Sequence, residues 1–347
     1  MPWTTFGQDH TIKALQHAIA HHHINHAYLL TGPAHIGKTT LAEDLARAIL
    51  CETMQPPCDS CRSCQLAAAG THPDLLILNN ESARDNVALS AIWDPRATEE
   101  APRALDIERV REIARRIAEF PIRALHRVVL IDGSLISSPA ASALLKIIEE
   151  PPSQTVFILR ARGRETLPHP IISRCQHLPL HTVPLIQLSA WISYRHCCSP
   201  ELATAAAWFA GGRAGLALRI AKAEHHAKAL QERSRQILSL PFIQPLERLQ
   251  FAADWGKNVT SARAVLDLSL QLWRALLRYT AIEEDRRQLD QFLPRNIREA
   301  YRQLSHAVLI QHVQALKIAS AALDSNVQPQ LTLEWLFARL ARTSRSG

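Results

Sequence analysis

Short apolar runs alternate with longer stretches of helical periodicity through the first half of the chain. Ala27-Tyr28-Leu29-Leu30 is the first run. Lys38 to Leu50 follows, with Leu41, Leu45, Ala48 and Ile49 spaced for one face of a helix. Leu75 to Leu78, Val128 to Ile131 and Val156 to Leu159 read as further strands, with helices predicted over Ile107 to Phe120 and Ala140 to Glu149. Strands that alternate with helices in this way build a parallel sheet covered by helices on both faces. Residues 79–104 are polar, carry both charges and are interrupted by Pro95 and Pro102, so a surface excursion is expected there. From about Pro184 the strand signals stop. Val265, Leu266, Leu268, Leu270, Leu272, Trp273, Leu276 and Leu277 recur at helix spacing within Ala262 to Tyr279. Turn signals at Gly211-Gly212 and Leu240-Pro241 break this helical half. The pattern predicts an α/β domain over 1–182, a small all-α unit over 183–235 and an all-α terminal domain over 236–347.

Composition changes this picture little. The chain of 347 residues is 47% hydrophobic, enough for a core in each domain, and its formal charge of +7 is a mild excess of 39 basic over 32 acidic residues. No apolar run approaches the ~18 residues of a bilayer span, and Met1-Pro2-Trp3-Thr4-Thr5 lacks a charged segment leading into an apolar one. The expected location is the cytoplasm, without membrane contact. Four of the seven cysteines fall between positions 51 and 64, a clustering that favours a metal over disulfides.

Two local patterns carry chemistry. Gly32-Pro33-Ala34-His35-Ile36-Gly37-Lys38-Thr39-Thr40 fits G-x-x-x-x-G-K-[ST] and sits between a predicted strand and a predicted helix. In that setting Gly32 and Gly37 let backbone N–H groups face phosphate oxygens. Lys38 reaches the outer phosphates, Thr39 offers a hydroxyl to magnesium, and Thr40 beside them completes the nucleotide-binding set. The expected ligand is ATP with magnesium. Cys51, Cys58, Cys61 and Cys64, spaced C-x6-C-x2-C-x2-C among turn residues, supply four thiolates for a closed tetrahedral zinc shell with a structural role. An iron–sulfur cluster and a redox pair are the alternatives that this spacing leaves open.

Val128-Val129-Leu130-Ile131-Asp132 is an apolar strand ending in a carboxylate, which in a nucleotide site lies beside magnesium. Gly133 and Ser134 follow it, and neither can serve as a base for an attacking water.

His26-Ala27-Tyr28-Leu29-Leu30, the phosphate loop, the four cysteines, Thr71-His72-Pro73-Asp74, Ala143-Leu144-Leu145-Lys146-Ile147-Ile148-Glu149-Glu150-Pro151-Pro152 and Ile172-Ser173-Arg174-Cys175-Gln176 occur in that order. Together they resemble the AAA+ clamp-loader family of bacterial DNA replication, and within it the delta-prime type, over residues 1 to about 220. Asn326 to Glu334 is also similar to the family's last collar helices. The resemblance implies an AAA+ domain with a zinc module, a helical lid and a C-terminal collar. The implied setting is a hetero-oligomer with motor and clamp-opening subunits, which meets the sliding clamp and primed DNA through the complex. It also implies that Arg174, in Ser173-Arg174-Cys175, reaches the γ phosphate of ATP held by a neighbour, as an arginine finger acting in trans.

Three departures from the motor subunits stand out. Gly133 replaces the water-activating glutamate and Ala161 a polar sensor. Gly215 stands where the lid carries an arginine, with Arg213 close by as a substitute. The expected subunit grips nucleotide but does not turn it over. One alternative is an ATP-hydrolysing motor subunit. The other is a free-standing zinc-containing nucleic-acid-binding module using Arg274, Arg278, Arg286, Arg287, Arg295, Arg298 and Arg302, although Glu283, Glu284, Asp285 and Asp290 are interleaved with those arginines.

Overall fold

A computed structural model of the chain describes residues 3–78, 105–133, 136–196, 198–222, 224–281, 305–325 and 327–340. The expected excursion over 79–104, Ser134, and the charged residues of the terminal domain from Glu283 to Arg302 lie outside the described residues. The described residues pack as two compact units, one reaching to residue 222 and the other beginning at residue 224.

In the first unit five strands, β1 (Ala27–Thr31), β2 (Leu75–Leu78), β3 (Arg127–Asp132), β4 (Thr155–Ala161) and β5 (Gln176–Pro179), form a wholly parallel sheet in the order β2-β3-β4-β1-β5. Alternate residues sort onto two cores. Tyr28, Leu30, Val128, Leu130, Val156 and Ile158 pack with α1 (Asp9–Ala20) and α2 (Lys38–Leu50), which α3 (Arg62–Ala68) follows. Ala27, Leu29, Val129, Ile131, Phe157 and Leu159 pack with α4 (Ile107–Ile117), α5 (Ser138–Glu149) and the short α6 (His169–Ile172). Because both faces are covered, these strands read as continuous apolar runs rather than as alternating ones. The α/β expectation with helices on both faces is met.

Two details depart from the sequence reading. Strand β5 carried no signal, since only Leu178 of its residues is buried and the strand holds one edge of the sheet. Helix α4 stops at Ile117 rather than Phe120. There the buried Arg127 guanidinium takes the carbonyls of Arg116, Glu119 and Phe120, satisfying the orphan acceptors of the last turn from across the chain.

The rest of the first unit is helical: α7 (Leu185–His196), α8 (Pro200–Ala210) and α9 (Ala214–Ala221). Ser199 caps α8 through its hydroxyl, Pro200 opens it, and Gly211 closes it at φ +58°. The N-terminal segment stitches these helices to the sheet. Buried Asp44 of α2 accepts both the N–H and the hydroxyl of Thr4 and of Thr5, at 2.7–2.9 Å. Phe6 stacks on Trp191 of α7 with ring centroids 4.2 Å apart, and Gln8 bonds both backbone groups of His181.

Among the described residues the second unit consists of α10 (Glu224–Ser239), α11 (Pro245–Trp255), α12 (Val259–Ala281), α13 (His306–Asp324) and α14 (Pro329–Arg339), in keeping with the all-α expectation for the second half. Its core holds Trp273, whose indole N–H donates to Nδ1 of buried His312 at 2.9 Å. Burial pulls the His312 pKa down to about 4, so the ring is neutral and free to accept that bond. Among the described residues no helix is long and apolar enough to cross a membrane.

Candidate nucleotide and metal sites

The phosphate loop joins β1 to α2, beside a central strand and at the carboxyl end of the sheet, where ligands of open parallel sheets bind. Its path needs left-handed backbone at Gly37 (φ +114°), which directly precedes α2, and at His35 (φ +61°). Lys38 curls over the loop, its Nζ donating to the carbonyls of Gly32 at 2.7 Å and Pro33 at 2.8 Å. Lys38, Thr39 and Thr40 form the first turn of α2, so the helix N-terminus points along the loop.

Asp132 ends β3 as expected, but a residue that the sequence reading passed over now joins it. Arg160 of β4 lies opposite Asp132 in the sheet register. One guanidinium nitrogen donates to Oγ1 of Thr39 and the other lies 3.4 Å from Oδ2 of Asp132. The two groups on which a magnesium ion would lean are therefore bridged by a single cation. A charged residue at the end of an apolar strand was the only hint in the sequence. Its pairing with Asp132 depends on strand order, which the sequence does not display.

Packing accounts for the residues that interrupt the nucleotide pattern. Gly133 is buried, its N–H donates to the Arg160 carbonyl at 2.7 Å, and a Cβ there would meet that carbonyl at 3.1 Å and the Leu167 side chain at 3.2 Å. Ala161 is fully buried at the end of β4. Gly215 donates its N–H to the His35 carbonyl at 2.9 Å, and a Cβ at 215 would lie 2.8 Å from that oxygen. The first turn of α9 thus rests directly on the phosphate loop. Arg213 precedes α9, with Nε bonded to the Ala210 carbonyl at 2.8 Å.

Arg174 lies just beyond α6 and is partly exposed. Its guanidinium meets Glu149 at 2.6 Å and the Pro170 carbonyl at 3.0 Å. The Glu149-Glu150-Pro151-Pro152 and Ser173-Arg174-Cys175 segments are thereby joined by one ion pair. A pair this exposed contributes about 0–1 kcal/mol, so it positions Arg174 without locking it.

The four cysteines converge as their spacing predicts. Cys51 ends α2, Cys61 caps α3, Cys64 lies within α3, and the four sulfurs fall within 4.8 Å of one another. A tetrahedral Zn–S₄ shell with bonds of about 2.3 Å spaces its sulfurs by about 3.8 Å, so the cluster needs only slight contraction around an ion. The N–H groups of Cys61 and Cys64 donate to the sulfurs of Cys58 and Cys61. Hydrogen bonds from the Ser60 hydroxyl, then from backbone N–H groups, draw the Cys58 thiol down to about 5, whereas burial pushes Cys64 up. Four protein sulfurs would close a tetrahedral shell and leave a bound ion no open position.

Thr71-His72-Pro73-Asp74 fastens this module to the sheet. Fully buried Asp74 accepts the N–H groups of Ile122, Arg123 and Ala124 at 2.7–2.9 Å. Burial lowers the His72 pKa, and its neutral ring accepts the Asp74 N–H at Nδ1 while Nε2 faces the Ser63 hydroxyl. Ser63 in turn donates to Glu52, which pairs with Arg123.

Comparison with known proteins agrees with this construction. The family described as DNA polymerase III, delta subunit, matches residues 7–184. The delta-prime subunit of Escherichia coli DNA polymerase III is 31% identical over 222 residues, 63% of this chain and 60% of the relative. That of Pseudomonas aeruginosa is 36% identical over 153 residues, 43% of this chain and 41% of the relative. The tau subunit of Bacillus subtilis is 32% identical over 173 residues, 49% of this chain and 27% of the relative. The chain thus matches less than two thirds of the length of each of these relatives.

Proposed function

Since the chain belongs to the DNA polymerase III delta-subunit family, we propose that it is a delta-prime-type clamp-loader subunit that assists ATP-dependent loading of the sliding clamp onto primed DNA. In this role it takes its place among motor and clamp-opening subunits and reaches the clamp and DNA through the complex. It does not hydrolyse ATP itself, and it offers Arg174 in trans to nucleotide held by a neighbour. Its domain plan is an AAA+ domain over 1–182 with a zinc module at 51–64, a lid over 183–235 and a collar over 236–347.

The observation that carries this reading is the contrast inside one site. The phosphate-gripping loop is complete, while the backbone around Gly133 and Gly215 is packed too closely for a catalytic glutamate or a lid arginine to enter without displacement. Gly133 thus offers no base to an attacking water, and general-base assistance of the type that gives about 10²–10⁴-fold is missing from that position. Arg174 is half exposed and lightly tethered, and a planar permanent cation suits charge developing on a transferring phosphoryl group. The four cysteines hold zinc as a closed structural shell.

The purified chain, assayed alone with saturating ATP and magnesium, is expected to release phosphate no faster than a Lys38→Ala variant. Turnover of several ATP per second that disappears in Lys38→Ala would overturn the reading in favour of a motor subunit. That second reading draws on the similarity to a tau subunit, and the same assay decides between the two.

A further inference from the structure

We propose that Arg160 takes the place of magnesium at the phosphate loop, so that this site binds nucleotide phosphates without a divalent metal. The inference rests on the reading of Gly32 to Thr39 as a nucleotide loop and is independent of the subunit role.

In loops of this class the threonine that follows the lysine and the carboxylate at the end of the neighbouring strand hold the ion against the outer phosphates. Here both groups face one guanidinium. Arg160 donates to the Thr39 hydroxyl, and its other terminal nitrogen lies 3.4 Å from Asp132 Oδ2. The side chains of Arg160 and Asp132 are 11% and 18% exposed, so the pair is held in poorly solvated surroundings where charge acts strongly. Position and charge both exclude magnesium: the ion would have to share Thr39 and Asp132 with a cation already bonded to them. The residues present do not fit the metal.

They do fit a phosphate. Arginine is charged at any working pH and presents a planar fork of donors matched to phosphate oxygens. The backbone of the loop, Lys38 and the N-terminus of α2 supply the remaining positive potential. A guanidinium fixed by the sheet register can thus neutralise a phosphate as magnesium does elsewhere. It does not bridge the β- and γ-oxygens as a metal ion does, so the ion's part in binding is kept while its part in turnover is lost.

The test is titration of the wild-type chain with a fluorescent ADP, once in excess magnesium and once in buffer freed of magnesium beforehand with no chelator present, repeated with Arg160→Ala and Arg160→Gln. The expected wild-type affinities agree within about twofold in the two buffers, while both variants bind at least about tenfold more weakly without magnesium and recover part of that loss with it. Wild-type binding that magnesium strengthens about tenfold or more would overturn the proposal and leave the loop reading intact. Absence of wild-type binding in both buffers would overturn the two together. The decisive comparison uses the wild-type chain, so it survives any folding defect in the variants.

Discussion

Removing the carboxylate of Asp74 is the sharpest test of how the cysteine module is fastened to the sheet. The side chain is fully buried and accepts three consecutive backbone N–H groups, from Ile122 at 2.7 Å, Arg123 at 2.8 Å and Ala124 at 2.9 Å. The buried guanidinium of Arg127 lies 3.8 Å away. Hydrogen bonds to a charged group contribute about 1.5–3 kcal/mol each, but three that share one acceptor do not add. Breaking a buried charge pair costs about 3–5 kcal/mol, and that is the range expected for Asp74→Ala. In Asp74→Asn the amide oxygen can keep Arg123 and Ala124 while its NH₂ confronts the Ile122 N–H, an expected loss of about 2–3 kcal/mol. Burial opposes the charge on Asp74, yet the three N–H donors outweigh it and hold the carboxyl below its ordinary value. Its contribution is therefore present above the unfolded pKa of about 3.9 and is lost as pH falls through the lower folded value. Urea unfolding by circular dichroism, with hydrogen exchange of peptides covering residues 121–131, reads both the global and the local effect. Lys257→Ala, which removes an exposed pair with Asp254, serves as the control and is expected to cost under about 1 kcal/mol. If Asp74→Ala lost no more than that control, the fastening role of Thr71 to Asp74 would be wrong.

Three further outcomes follow from the same structure. His312 is held neutral with its pKa drawn down to about 4, against about 6.5 unfolded. Stability is thus unaffected above about pH 6.5, declines as pH falls below it, and levels off below about 4 after a loss of about 3 kcal/mol. His312→Phe should flatten that acid limb in pH-dependent unfolding, and an unchanged limb would refute the assignment. Metal analysis of the purified chain should give one zinc per chain, reduced to background in Cys61→Ser, whereas iron with visible absorbance would contradict the zinc shell. Gly215→Ala should cost about 1–3 kcal/mol because its Cβ would lie 2.8 Å from the His35 carbonyl, and a neutral result in thermal unfolding would mean that α9 does not rest on the loop.

The sequence made some parts of this molecule legible and hid others for identifiable reasons. Strands buried on both faces, such as Val128 to Ile131, announce themselves as apolar runs, and the cysteine spacing alone brings four sulfurs to one point. Strand β5 stayed hidden because Leu178 alone of its residues is buried, and the early end of α4 stayed hidden because its cap is supplied by Arg127 from another element. The same limit hid Arg160. Its role depends on which strands are neighbours, and β3 and β4 meet only through the crossover. Asp44 and Asp74 are likewise acidic residues whose partners lie about 40 to 50 positions away, so no local pattern marks them as buried hubs. Arg174 was singled out by its surrounding segment, whereas its tether to Glu149 became visible only in the fold.

The central claim is that this chain assists hydrolysis at a neighbour rather than performing it. The most direct measurement is the DNA-stimulated ATPase of a reconstituted clamp loader carrying wild-type, Arg174→Ala or Glu149→Gln chain. An arginine finger contributes about 10³-fold or more at the site it serves. Arg174→Ala should therefore remove that site's share of the total rate, while Glu149→Gln, which loosens the 2.6 Å tether but keeps the arginine, should retain it. An Arg174→Ala complex that assembles normally and hydrolyses ATP at the wild-type rate would contradict the account.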